Sequence, residues 1–164
     1  MKKLKKLKLH DLEASCDLLS PFEQKRIMGG KDDIFDIQGG RIAEQNGGVL
    51  LTTTDGYSFF FDGVRLTDDW VIGETAYQLN GMIHISYSWI YAKEYRFCVN
   101  DFLHEFGHYL QQLYYGSTFS YLYHVGIPSG WSCLTDPKNH QNQPYEKDAT
   151  TLGREYFEKN KKHI

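Results

Sequence analysis

His104-Glu105-Phe106-Gly107-His108 sets two imidazoles four residues apart, with a glutamate beside the first. Along an α-helix four residues turn through about 400°, so the two histidines project from nearly one line, one turn apart. Two imidazoles so placed can reach one zinc ion at about 2.0–2.1 Å. Glu105 lies next to them and can take a proton from a metal-activated water without entering the metal's shell. That is hydrolytic chemistry. A catalytic zinc also needs a third protein ligand and an open position. Glu146 and Asp148, in PYEKDAT near the start of the last helical segment, are the two candidates.

Other residues with chemistry to offer are His140, Tyr145 and His124, each able to stabilise an oxyanion from a loop or a helix start. His84 falls on a strand and reads as structural or exposed. Cys98 and Cys133 remain in the chain body as either a disulfide or two free thiols. No CxxC spacing occurs, so cysteine-based metal binding has no support.

The elements that must carry these residues follow from periodicity. Val99, Phe102, Leu103, Phe106, Leu110 and Leu113 recur at three- and four-residue intervals, the pattern of an amphipathic helix, with Gly116 as its stop. Ahead of it, residues 47 to about 90 read as antiparallel strands. VLLTTT (49–54) and YSFFFD (57–62) flank Asp55-Gly56, and AYQL (76–79) and MIHIS (82–86) flank Asn80-Gly81; both dipeptides suit tight hairpins. Gly39-Gly40 reads as a loop, residues 117–143 as irregular, and Pro144 to Asn160 as a second helix with proline in its first turn. The lysine-rich end reads as frayed. The fold class expected is α+β, a small antiparallel sheet followed by an active-site helix and a second, ligand-bearing helix.

Composition narrows the classes. At 164 residues the chain has room for one domain of ordinary size, and 41% hydrophobic content supports a packed core. No apolar run approaches the roughly 18 residues of a membrane-spanning helix, so no integral membrane segment is expected. The net charge of −3 is unevenly divided. Residues 1–30 carry seven basic and four acidic side chains, leaving eleven basic and seventeen acidic ones in residues 31–164. An acidic body repels phosphate backbones, so nucleic acid is a poor partner. The two parts also read as separate units: 1–30 and 31–164.

Residues 1–30, MKKLKKLKLHDLEASCDLLSPFEQKRIMGG, end in Gly29-Gly30 after a basic, weakly amphipathic stretch. Leu19, Ser20, Glu23 and Ile27 stand at the spacing from Gly30 at which double-glycine leaders of exported bacterial peptides carry such residues. The segment resembles those leaders, particularly Bacteroidetes ones. The resemblance implies cleavage after Gly30 by a peptidase-containing ABC transporter, a cytoplasmic precursor and a secreted product starting at Lys31. Cys16 would leave with the leader.

PYEKDA resembles the E-x-x-A segment through which gluzincin-type zincins supply a glutamate ligand from a second helix. That register favours Glu146 over Asp148 as the third zinc ligand, with Ala149 as the small residue that lets the helices approach. Thr150 stands where such proteins often have an aspartate contacting a ligand histidine. HEFGHYLQQ, GIPSG (126–130), a histidine-containing loop and YEKDA together resemble the small metallopeptidase module of Rhs-type polymorphic toxins and related Bacteroidetes proteins. This implies a zinc metalloendopeptidase with His104, His108 and Glu146 as ligands, Glu105 as base and a peptide or protein as substrate. The alternatives are a toxin or bacteriocin-like effector using the same site, and a non-catalytic zinc module or degenerate zincin.

Overall fold

The computed structural model describes residues 34–45, 47–67, 76–85 and 97–164. Residues 1–30, expected to be a leader and containing Cys16, Gly29 and Gly30, lie outside the described residues. The fold is α+β.

Five strands form the main sheet: β1 (Ile34–Ile37), β2 (Gly40–Gln45), β3 (Gly48–Thr53), β4 (Tyr57–Asp62) and β8 (Lys162–His163), in the order β1-β2-β3-β4-β8 and antiparallel throughout. Gly56, at φ 86°, closes the β3–β4 hairpin in a conformation that glycine adopts without a Cβ clash. The lysine-rich end is not frayed. Lys162 and His163 pair with Ser58 and Tyr57, adding an edge strand. The first hairpin, β1–β2, was not anticipated from sequence; Gly39, also at positive φ, turns it, and β2 begins at Gly40.

Three further strands make a second sheet rather than extending the first. These are β5 (Arg65–Thr67), β6 (Ala76–Leu79) and β7 (Met82–Ile85), in the order β5-β7-β6. Asn80 and Gly81, at φ 54° and 75°, join β6 to β7 through the expected tight turn. Contrary to a purely antiparallel expectation, β5 runs parallel to β7. The chain makes the β6 hairpin strand first and returns beside β5, which is the crossover a parallel pair requires.

Helix α1 (Val99–Tyr115) begins where the sheet holds it. Gln38, in the β1–β2 turn, exchanges backbone hydrogen bonds with Phe97 and Val99 at 2.9 and 3.0 Å. Asp101 accepts from the Cys98 N–H at 2.9 Å, and Gly116 ends the helix in the left-handed conformation. Residues 117–143 are largely helical, not irregular. Thr118–Tyr121 (α2), a π turn (Leu122–Gly126) and Ile127–Thr135 (α3) run on without a break, and a 3₁₀ turn covers His140–Asn142. Helix α4 spans Pro144–Asn160.

The core sits between the main sheet and the two long helices. Phe61 of β4 packs edge-on against Phe102 and Phe106 of α1, with centroids 5.1 and 4.5 Å apart, and lies near Phe157 of α4. Ile42, Val49 and Leu51 are fully buried on the same sheet. Burying these four phenylalanines stabilises the domain by several kcal/mol, at roughly 1.5–3 kcal/mol each. It also fixes both helices on one platform.

Candidate metal centre

Small residues decide how closely α1 and α4 approach. A Cβ on Gly107 would collide with the backbone carbonyl of Ala149, and one on Gly153 would collide with the carbonyl of Leu103. The two helix backbones therefore touch at Gly107–Ala149 and Leu103–Gly153. This contact carries Glu146, in the first turn of α4, across to the histidines on α1.

Three donor atoms converge there. Glu146 Oε2 lies 3.0 Å from His104 Nε2 and 3.2 Å from His108 Nε2. Four ligands at zinc bond lengths of about 2.0–2.1 Å in a tetrahedron stand about 3.3 Å from one another, so these spacings suit one small cation. Among the described residues, His104, His108 and Glu146 form the group able to hold a metal.

The surrounding hydrogen bonds set both imidazole tautomers. Thr150 Oγ1 donates to the Glu146 carbonyl oxygen at 3.0 Å, so toward His104 Nδ1, 2.9 Å away, it accepts. Gln111 commits its two amide protons to the Tyr145 carbonyl oxygen (2.8 Å) and Asp148 Oδ2 (3.0 Å), so its Oε1 accepts from His108 Nδ1 at 2.8 Å. Each Nδ1 thus donates a proton outward, which leaves each Nε2, turned toward the carboxylate, as the ring atom a metal would take. Three possible metal-donor atoms meet beside one another there. Glu146 Oε1 and Glu105 Oε2 are buried with no hydrogen-bond partner among the described residues. Two buried carboxylate oxygens without a partner beside a pair of imidazoles are costly without a cation, and a divalent metal fits the place.

Charge at the site follows from burial and from these neighbours. Burial favours the protonated form of Glu146, but its hydrogen bonds with His104 and His108 outweigh that and hold the carboxyl well below the ordinary range. Burial pushes His108 down, and the Glu146 and Glu105 carboxylates more than reverse it. Glu105 is raised by burial, with His108 and His104 opposing. A carboxyl displaced upward is the more basic for it, as a proton acceptor needs to be.

His104, Glu105, His108 and Glu146 all line a cavity of about 570 Å³, within the size range of small-molecule and peptide sites. Its other walls include β6 from Ala76 to Leu79, an edge strand of the second sheet among the described residues, and the inner face of the α2–α3 segment. His140 lines it too. Its Nε2 lies 3.6 Å from Glu146 Oε1, and its Nδ1 lies 2.7 Å from Ser132 Oγ.

Tyr145 and His124 are not placed at the cavity. The Tyr145 hydroxyl lies 3.0 Å from both Ser132 Oγ and the Pro128 carbonyl oxygen, so it ties α4 to α3. His124 Nδ1 donates to the Ser120 carbonyl oxygen, and its ring stacks on Tyr115. Asp148 is exposed and serves Gln111 instead of a metal. His84 stacks on Tyr77 at 4.3 Å. Cys98 and Cys133 are free thiols. Sequence reasoning missed Tyr121, a buried residue lining the cavity, whose phenol is raised by burial with Glu105 and Glu146 adding to the effect. It also missed Gln111, although a glutamine three residues after the second histidine is within reach of that ring on one helix face.

Compared with protein-family models, curated proteins and solved structures, the chain matches none. Among the described residues no helix is long and apolar enough to cross a membrane. Function has to be read from the geometry of these side chains.

Proposed function

We propose that residues 31–164 form a zinc-dependent peptide hydrolase of the gluzincin type, exported after removal of a double-glycine leader. The observation that carries this reading is the donor set: two histidines with Nδ1 protons committed elsewhere, and one carboxylate, meeting at the wall of a cavity. His104, His108 and Glu146 would hold the metal. Zinc bound there supplies the Lewis acidity that brings water toward deprotonation near neutral pH.

The chain's own residues do the rest. Glu105 shares the cavity, and its Oε2, with no protein partner, is free to accept the proton of the attacking water and pass it to the leaving amine. Strand β6, last in the order of the second sheet among the described residues, runs along the cavity wall, where an extended peptide would lie beside the donors. His140 and Tyr121 face the same space with polar atoms suited to a developing negative charge. A tyrosine raised by burial keeps its proton at neutral pH and so remains a donor.

The test is digestion of a proteome-derived peptide library, read by mass spectrometry. The wild type is expected to cleave, to lose activity to a chelator and to regain it with zinc. Glu105→Gln is expected to bind zinc normally and cleave at least about 100-fold more slowly. Stoichiometric zinc with no cleavage by the wild type would support a non-catalytic metal module instead.

A further inference from the structure

The helical run Thr118–Thr135 has two faces with different fates. Tyr121, Val125 and Ser132 are buried, and its inner side walls the cavity. Phe119, Tyr123, Ile127, Trp131 and Leu134 all point outward, 66 to 82% exposed. They are spaced by four, four, four and three residues. On a regular α-helix a row of four-residue steps drifts by about 40° per step. The π turn at Leu122–Gly126 holds more residues per turn and works against that drift, so the five side chains stay on one outer side.

This face is too apolar for an isolated surface. With large apolar side chains at about 150–250 Å² each and two-thirds to four-fifths of each exposed, the five residues present on the order of 550–900 Å². The largest apolar patch on a typical monomer is about 300–600 Å², and one side of a standard protein interface is about 800 Å². No Asp, Glu, Lys or Arg occurs between Thr118 and Thr135. An interfacial membrane helix generally carries Lys and Arg along its polar side, and this helix has none there. A face without charge can instead meet an identical face without burying an ion.

We infer that a second copy of this chain covers this face, the two outer sides of Thr118–Thr135 packing on each other about a two-fold axis. Trp131 and Phe119 are the anchors, since large aromatics dominate such contacts. The interface stands independently of the hydrolase reading, because its residues point away from the metal donors.

The test is sedimentation velocity of the full chain in reducing buffer, from about 0.5 to 200 µM, with the variants Trp131→Glu and Leu134→Glu. A dimer is expected for the wild type. Each variant is expected to raise the dissociation constant at least 100-fold while far-UV circular dichroism and zinc content stay unchanged. A wild type that remains monomeric throughout overturns the inference, whether or not it co-sediments with phosphatidylcholine vesicles. A dimer that both variants preserve overturns it as well, since association would then run through another surface.

Discussion

His104 Nδ1 lies 2.9 Å from Thr150 Oγ1, and that hydroxyl gives its own proton to the Glu146 carbonyl oxygen. One threonine therefore fixes the tautomer of one metal donor and braces the backbone of another. An aspartate is not required for that role. Any acceptor that reaches Nδ1 from one turn along α4 orients the ring.

Thr150→Val keeps the shape and removes the acceptor. Zinc affinity, measured by competition with a chromogenic chelator, is expected to fall about 10- to 100-fold, and Thr150→Ser is expected to restore most of it. Equal affinity in the valine variant would show that Thr150 does not orient the ring.

Gln111→Leu leaves the His108 Nδ1 proton, the Tyr145 carbonyl and Asp148 without their shared partner. An unmade buried hydrogen bond costs about 1–3 kcal/mol, so urea denaturation is expected to report a loss of at least that size. Zinc affinity should fall in parallel. Loss of stability with unchanged affinity would mean that Gln111 braces the helices but not the imidazole.

The helix contact predicts a contrast between two glycines. Gly153→Ala would drive a methyl group into the Leu103 carbonyl, and its cost is expected to exceed about 3 kcal/mol. Gly130→Ala, in the interior of α3 with open space around it, is expected to be stabilising by about 0.5–1 kcal/mol. Denaturant midpoints compare the two directly. A mild effect at position 153 would mean the helices can separate without loss.

How much of this was legible in the sequence depended on whether the signal was local. The three- and four-residue recurrence from Val99 to Leu113 and the Asn80-Gly81 turn act within one element, and both elements form where expected. The α2–α3 segment was missed because its large apolar residues face outward and its inner side mixes Tyr121 and Val125 with glycine and serine, so no long buried apolar stripe marks it. The β1–β2 hairpin was missed because its apolar residues straddle Gly39-Gly40 with polar ones between. Lys162 and His163 form a strand only because β4 supplies an unpaired edge. At the site, His104, Glu105 and His108 share one helix turn and were readable. The acceptors on their far sides, Thr150 and Gln111, take on meaning only through hydrogen bonds made between or within the folded helices, and Tyr145 was drawn off by Ser132 and Pro128.

Metal binding to the folded state alone should also be visible as stability. Zinc at 100 times its dissociation constant adds about 2.7 kcal/mol, a rise of roughly 8 °C in Tm for a domain of this size, and a chelator should reverse it. An unchanged melting curve would mean that the folded chain has no preference for the ion.

The most direct measurement is metal content by mass spectrometry after exhaustive dialysis, on the wild type and on Glu146→Ala. One zinc per wild-type chain is expected, and less than about a tenth of that in the variant, in which the two imidazoles have lost their carboxylate partner. A wild type that retains no metal, or a variant that still holds one equivalent, would contradict a centre built on His104, His108 and Glu146.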